Sequence, residues 1–406
     1  MEKDLISLPS DLRVETHHTV RMFDDKLVKL IDNFEMRLAA HYSGYKSLTD
    51  WHPVIPEDWG TFPQLKVQCG TVFRGSAETW AYNHHHTLAK SGDTYIIAWS
   101  GGFLHEDYPG QEVHFSTSMD GLNWAEMGVV AATPKESGLV RNNIGLLPAG
   151  GKVYCYVGVA DNFKRDVAPP GMCSMDKPKI HMDIYETEDM KTWKQCNSGL
   201  CEGAYLFEGP RPTRGGRLIA GAERIGTGEI MMLIWDDASQ PAAEPRVVSL
   251  PKSPEGIQGG QTTWYQTDDG RIWMFAREGE PCKLALSVSD DEGDTWTPLY
   301  DTDIPNTNVR AYAGRLSDGR FFLCSSISSV HLDRRHMHLA LSDDGRCFDR
   351  MYTLLQGETT RRVNGRHKED GWHYASGLVD GDRLMIAHSI NKEDIAVASV
   401  DMSKVK

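Results

Sequence analysis

No CxxC pair and no Cys/His cluster at zinc-binding spacing occurs among the eight cysteines, so nothing in the sequence points to a disulfide framework or a structural zinc. Cys155 and Cys324 fall inside apolar strand-like runs, where buried thiols are expected. The opening residues, MEKDLISLPSDLRVE, hold no apolar run behind basic residues, so neither a signal peptide nor a membrane span is read and the compartment stays open. A cationic surplus is missing too: 43 Lys and Arg stand against 57 Asp and Glu, a net charge of -14. That disfavours nucleic acid and anionic membrane surfaces as non-specific partners. It leaves room for an anionic substrate, because a pocket can be basic on an acidic protein. Helical periodicity is scarce, with one candidate near Asp24–Ala40, where Leu27, Leu30, Ile31 and Phe34 share a face. No linker or low-complexity tract divides the chain, so residues 1–406 read as one domain, expected to be monomeric.

What the sequence does have is repetition. Ser289-Asp-Asp-Glu-Gly-Asp-Thr-Trp296 is the fullest copy of a short pattern. Reduced copies are Ser118-Met-Asp-Gly-Leu-Asn-Trp124, Thr187-Glu-Asp-Met-Lys-Thr-Trp193 and Ser342-Asp-Asp-Gly-Arg-Cys-Phe348. Ser or Thr and Asp can satisfy the backbone N–H groups of a tight turn, Gly supplies positive φ, and the aromatic packs beneath. These are degenerate Asp-boxes, a hairpin signature that serves as scaffold. Strand-like runs at 93–99, 152–157, 271–276, 320–324 and 383–387 lie between them, several opened by Asp-Gly turns.

A polar cluster precedes each hairpin: Asn83–His86, Arg141–Asn143, Glu208–Arg211, Gln261–Thr263, Arg310–Tyr312 and His373–Tyr374. Steps of roughly fifty to sixty-five residues between them suit propeller blades. The expected fold is therefore all-β, a seven-bladed β-propeller, with residues 15–75 supplying a further segment and closing the ring; six blades is the alternative. Inner strands of a propeller start at one end of the channel, so the clusters should converge there.

Together the clusters hold His, Arg, Asn, Gln and Tyr with few carboxylates, which suits an anion and proton transfer. His86, Arg141, Asn143, Tyr156, Arg211, Gln261, Arg277, Arg310 and Tyr374 are the candidates for substrate contact. In a regular strand His84 and His86 share one face and His85 takes the other, so adjacent histidines should not converge on one ion, and the metal ligands stay unassigned. Glu106 and Asp107 follow His105 in the loop after the first hairpin strand.

The stretches Trp99-Ser-Gly-Gly102, Glu106-Asp-Tyr-Pro-Gly-Gln111 and Ser116–Trp124, with Ala313–Arg320, Leu339–Gly345, Phe348-Asp-Arg350 and Ser389–Ile395, resemble the sialidase-like propeller polysaccharide lyases. Those are the ulvan lyases and the L-rhamnose-α-1,4-D-glucuronate lyases, with a related rhamnosidase family. The resemblance spans about residues 80–400. It implies β-elimination at the O4 of D-glucuronate in an acidic polysaccharide, releasing terminal L-rhamnose. The alternatives are endo cleavage of ulvan, hydrolysis by a rhamnosidase or sialidase, and glycan binding without catalysis. The lyases use two histidines about twenty residues apart, a Tyr and an Arg. His85 and His105 match that spacing, Arg165 matches the Arg, and Tyr154 or Tyr156 lies near the Tyr position. The resemblance also implies a structural calcium in the channel and no organic cofactor. Phe/Tyr-Arg-Ile-Pro, expected near the start of a sialidase, has its nearest match in Val72-Phe-Arg-Gly75, without Ile-Pro.

Overall fold

Ile230–Trp235 is apolar at every position rather than at alternate ones, and all six residues are buried. A strand buried on both faces needs a neighbour on each, which a ring of upright sheets provides. A computed structural model describes residues 62–161, 179–254, 256–278, 282–328, 331–365 and 367–406. The expected helix near Asp24–Ala40 and the candidate Arg165 lie outside the described residues. So does most of the 15–75 segment.

The strands run in chain order around the ring. After β1 (Gln68–Arg74), blade 1 is β2 (Tyr82–Ser91), β3 (Thr94–Gly102), β4 (Glu112–Ser118) and β5 (Gly128–Ala131). Blade 2 is β6 (Val140–Ala149), β7 (Lys152–Asp161), β8 (Lys179–Thr187) and β9 (Lys194–Leu200). In blade 3 the inner strand is split into β10 (Ala204–Leu206) and β11 (Arg211–Pro212), both paired with β12 (Leu218–Arg224), then β13 (Glu229–Trp235) and β14 (Arg246–Ser249). Blade 4 is β15 (Gly260–Gln266), β16 (Ile272–Arg277), β17 (Lys283–Ser289) and β18 (Tyr300–Pro305). Blade 5 is β19 (Tyr312–Arg315), β20 (Phe321–Ser325), β21 (His336–Ser342) and β22 (Arg350–Gln356). Blade 6 is β23 (Trp372–Asp380), β24 (Arg383–Ile390) and β25 (Asp394–Asp401), with β1 as its outermost strand. The pairings within the blades are antiparallel. Among the described residues, helix is confined to two short 3-10 turns, and none is long and apolar enough to cross a membrane.

The propeller therefore has six blades, not seven. The segment before residue 75 does not add a blade; its strand completes the sixth, through the Gln68↔Ser399 to Arg74↔Asp394 register. Core layers between consecutive blades confirm the count. Blades 1 and 6 pack directly, with Leu88, Ile97 and Trp99 against Met385, Ile395 and Val397. At about 1.5–3 kcal/mol for each fully buried large side chain, these layers are the main stabilising term. Crowding near the axis selects glycine: a Cβ on Gly145 would stand 2.4 Å from Gly209 Cα of the next blade.

The Asp-boxes link the third and fourth strands of blades 1, 2, 4 and 5. In the fullest, Ser289 Oγ accepts from Gly293 N at 2.9 Å and Asp291 Oδ1 from Thr295 N at 2.8 Å. Trp296 donates its indole N–H to Gly293 O at 2.9 Å.

Three inner strands share a deviation. Register shifts occur at His84/Thr87 in β2, Gly260/Thr263 in β15 and His373/Ser376 in β23. Each contains one non-glycine residue with positive φ: His85 at 50°, Gln261 at 52° and Tyr374 at 54°. A bulge re-aims a side chain, and such strained backbone collects at functional sites.

Because the Asp291 carboxylate holds only its own turn, Asp291→Ala should cost about 1–3 kcal/mol of stability. A lower urea midpoint with unchanged ligand binding would show it.

Candidate active site at the channel mouth

The mouth is assembled where the inner strands begin and the second strands end. His84 and His85 come from β2, Asn142 from β6, Arg310 from just before β19, and His373 and Tyr374 from β23. Arg277 closes β16. The loop after β3 adds Glu106, and the β24–β25 turn adds Lys392, itself at φ 54°.

Glu106 ties the first blade to the last. Its Oε2 accepts from Lys392 Nζ at 2.7 Å and its Oε1 from Tyr82 OH at 3.0 Å. Both members of the ion pair are buried. Burial pushes the Glu106 carboxyl up, but Lys392 and then His85 outweigh it and hold the pKa at about 2. His85 places Nε2 3.4 Å from Glu106 Oε1 and Nδ1 3.0 Å from Asn142 Oδ1. Burial lowers its pKa to about 4, against the pull of Glu106.

Tyr374 lies among cations. Its hydroxyl is 3.2 Å from Arg277 Nη1, and the guanidiniums of Arg310 and Arg334 stand 5.1 and 5.9 Å from its ring centre. Burial raises a phenol's pKa, yet Arg277, Lys392 and Arg334 together bring this one below its ordinary value.

The other candidates divide by what they touch. Gln261 is half-buried on its bulge, with a buried Oε1 lacking a hydrogen-bond partner. Arg310 is buried and spent on carbonyls, donating to Phe207 O and, at 3.2 Å, to His86 O. Arg211 donates to Glu208, Trp264 O and Ala313 O, and stacks on Trp264 at 4.6 Å, so it braces the channel wall. Asn143 is a support: its amide donates to His85 O at 2.6 Å, Thr87 Oγ1 at 2.9 Å and Ala98 O at 3.0 Å, fixing the first bulge. His86 is fully buried behind it.

Two candidates stand away from this group. Tyr156 is fully buried between blades 2 and 3, its hydroxyl on Pro241 O at 2.9 Å, because strand alternation turns it into the core. Arg141 turns outward to Ala132 O and Thr133 Oγ1, leaving its neighbour Asn142 to face His85. His105 packs against Tyr108, ring centres 5.6 Å apart, while Glu106 meets His85.

Glu106, Asn142, His84, Lys392 and Arg334 were not singled out from the sequence. For Glu106 the signal was its place beside His105 in the loop after the first hairpin strand. Nothing local marks Lys392 or Arg334.

Calcium takes six to eight oxygen ligands. The one group of three or more ligand-competent residues found close together among the described residues is His84, His85 and Glu106, two nitrogens and a single carboxylate. That set does not fit calcium.

Burial lowers the pKa of His86, His373 and His388, so all three are neutral in the fold. The unfolded chain takes up their protons below pH about 6.5. Above that value the three groups leave stability unchanged; below it stability falls, over a window that reaches down to about 4 for His388, at up to about 1.4 kcal/mol per pH unit for each histidine. Urea denaturation at pH 7, 6 and 5 should show a falling midpoint, steeper than in His388→Gln.

Comparison with known proteins supports the architecture. No curated protein matches the chain. A protein of unknown function from Dyadobacter fermentans superposes with a TM-score of 0.62 at 15% identity, covering 82% of this chain and 99% of that one. A mutant Trypanosoma rangeli sialidase displaying trans-sialidase activity gives 0.60 at 11% identity, over 83% of this chain and 59% of its own. A Hadza microbial sialidase gives 0.62 at 12% identity, over 81% and 67%. At such identities the likeness is one of fold. The family model described as a BNR repeat-like domain matches residues 93–386, most of the ring, and the chain belongs to that family.

Proposed function

We propose that the channel mouth cleaves an acidic glycan by β-elimination at a uronate, with D-glucuronate bearing a terminal L-rhamnose on O4 as the favoured substrate. The observation that carries this reading is Tyr374, a buried phenol within 3.2 Å of Arg277 and flanked by two further guanidiniums. Elimination requires that the C6 carboxylate be neutralised, that C5–H be removed and that the departing O4 be protonated. Arg277, half-buried beside the phenol, suits the first task through charge-assisted hydrogen bonds. Tyr374 suits the second: ionised, it takes the C5 proton, and the phenol so formed can return it to O4. The resemblance to the propeller lyases supplies the sugar identities, and the fold comparisons support a carbohydrate ligand.

The carboxyls nearby favour elimination over acid-assisted hydrolysis. Glu106 is held ionised by Lys392, and Glu208, though pushed up by burial, is clasped by Arg211 and Thr263. One observation keeps hydrolysis as a second reading. Burial also raises the Glu223 carboxyl, which feels the charge of Arg277 and would make a proton donor opposite a Tyr374 nucleophile.

Rhamnose-capped arabinogalactan and ulvan, followed by ultraviolet absorbance of a C4=C5 double bond, test the proposal. Absorbance with free rhamnose is the expected result. Absorbance with ulvan alone would mean endo cleavage, rhamnose without absorbance would mean hydrolysis, and binding without product would mean a lectin-like propeller. Tyr374→Phe should lower kcat by about 10²–10⁴-fold. The base form of Tyr374 accumulates as pH rises through its pKa, so Arg277→Gln, which removes a depressing charge, should move the rising limb of the rate profile to higher pH. His105→Ala should leave kcat within a few-fold of the parent; a loss as large as that of Tyr374→Phe would return the chemistry to His105.

A further inference from the structure

His84 and His85 are consecutive, yet both face the mouth. The β2 bulge and the positive φ of His85 break strand alternation and bring the ring centres within 4.8 Å. The tautomer of His85 follows from its neighbours. Asn142 Oδ1 accepts from Gln111 Nε2, and Asn142 Nδ2 donates to Asp107 Oδ1 at 3.2 Å, so the oxygen of this amide faces His85 Nδ1. Nδ1 therefore carries the hydrogen, and the lone pair of the neutral ring lies on Nε2. That lone pair looks at Glu106 Oε1 across 3.4 Å. Two acceptors placed face to face call for a cation between them. His84 completes the cluster: Nδ1 lies 2.8 Å from Ser389 Oγ, and the fully buried Nε2 has no hydrogen-bond partner.

We propose that His84, His85 and Glu106 form a site for one divalent transition-metal ion of zinc-like preference, with a coordination position left open toward Tyr374. The three ligand atoms lie within 4.8 Å of one another. Ligands about 2.0–2.1 Å from a tetrahedral zinc stand about 3.4 Å apart. The His85–Glu106 separation already has that value, and the third ligand needs only to close inward. Ser389 and Asn142 are the outer partners that fix imidazole orientation in such sites. Tyr82 and Lys392 orient the carboxylate from its two oxygens. Lys392 also repels a metal ion, which makes the site weaker than a purely anionic one and its ion exchangeable. Two nitrogens and one oxygen favour zinc, cobalt or nickel over calcium or magnesium. Three protein ligands leave a position for an anionic oxygen, and the ring of Tyr374 lies 4.2 Å from that of His84. The open position would thus take a carboxylate of an acidic sugar.

This inference concerns binding and does not depend on which bond is cut: a double-bond product without metal binding would overturn the site and leave the lyase reading standing. The test uses the full chain, stripped of metal, at pH 7. Zn²⁺ is titrated by calorimetry, and Co²⁺ by visible absorption. One ion per chain is expected, with cobalt bands of a four- or five-coordinate nitrogen–oxygen site. Glu106→Gln and His84→Ala should each weaken binding at least tenfold, and Ser389→Ala should weaken it about tenfold. Circular dichroism checks each fold, and should His84→Ala misfold, the isosteric Glu106→Gln decides. Cys282→Ser, at a thiol 3.8 Å from His331 Nδ1, should bind as the parent does. Absent binding, binding untouched by Glu106→Gln, binding lost with Cys282→Ser, or displacement of Zn²⁺ by millimolar Ca²⁺ would each overturn the site.

Discussion

Everything at the channel mouth depends on the pairing of β1 with β25. That antiparallel ladder completes the last blade with a strand from the beginning of the described chain, so blades 1 and 6 are held side by side. Without closure the inner strands would have no common axis. Residues more than two hundred and fifty positions apart, such as Glu106 and Lys392, could not meet. Closure also covers the outer edge of β25, leaving β1 as the edge strand of the last blade.

The closed ring sets the positions, and local strain sets the directions. An ideal inner strand would send His85, Gln261 and Tyr374 where alternation dictates. Their bulges, each with a positive φ on a residue that avoids it, turn them otherwise. Asn143 shows how such strain is held: its amide ties the carbonyl of His85 to two other strand groups, so the bulge costs no buried unpaired acceptor.

Charge at the mouth runs against that of the whole molecule. The chain is acidic overall, yet Arg277, Arg310, Arg334 and Lys392 crowd around one phenol. Most of this charge is committed to structure: Arg310 fastens carbonyls of other blades, Arg334 holds Asn308 O and pairs with Glu369, and Lys392 neutralises Glu106. Arg277 remains the arginine whose described partner is Tyr374 itself.

The repeats decided the fold class by themselves, because Ser-x-Asp hairpins, Asp-Gly turns and all-apolar strands are written in short stretches of chain. Convergence of the polar clusters on one channel end was legible for the same reason. The blade count was not, since whether the first strand starts a blade or finishes one depends on a partner more than three hundred residues away. Nor was the difference between Asn142 and Asn143, or between Arg141 and Arg277. In β2 a register shift with a positive φ turns both His84 and His85 to the mouth, which period-two reasoning cannot see. Tyr156 misled for the opposite reason: it obeys alternation and is buried by it. Sequence alone settled what kinds of side chain reach the mouth; only the tertiary structure settled which of them touch, because contact there is made by ring closure and strained bulges rather than by local pattern.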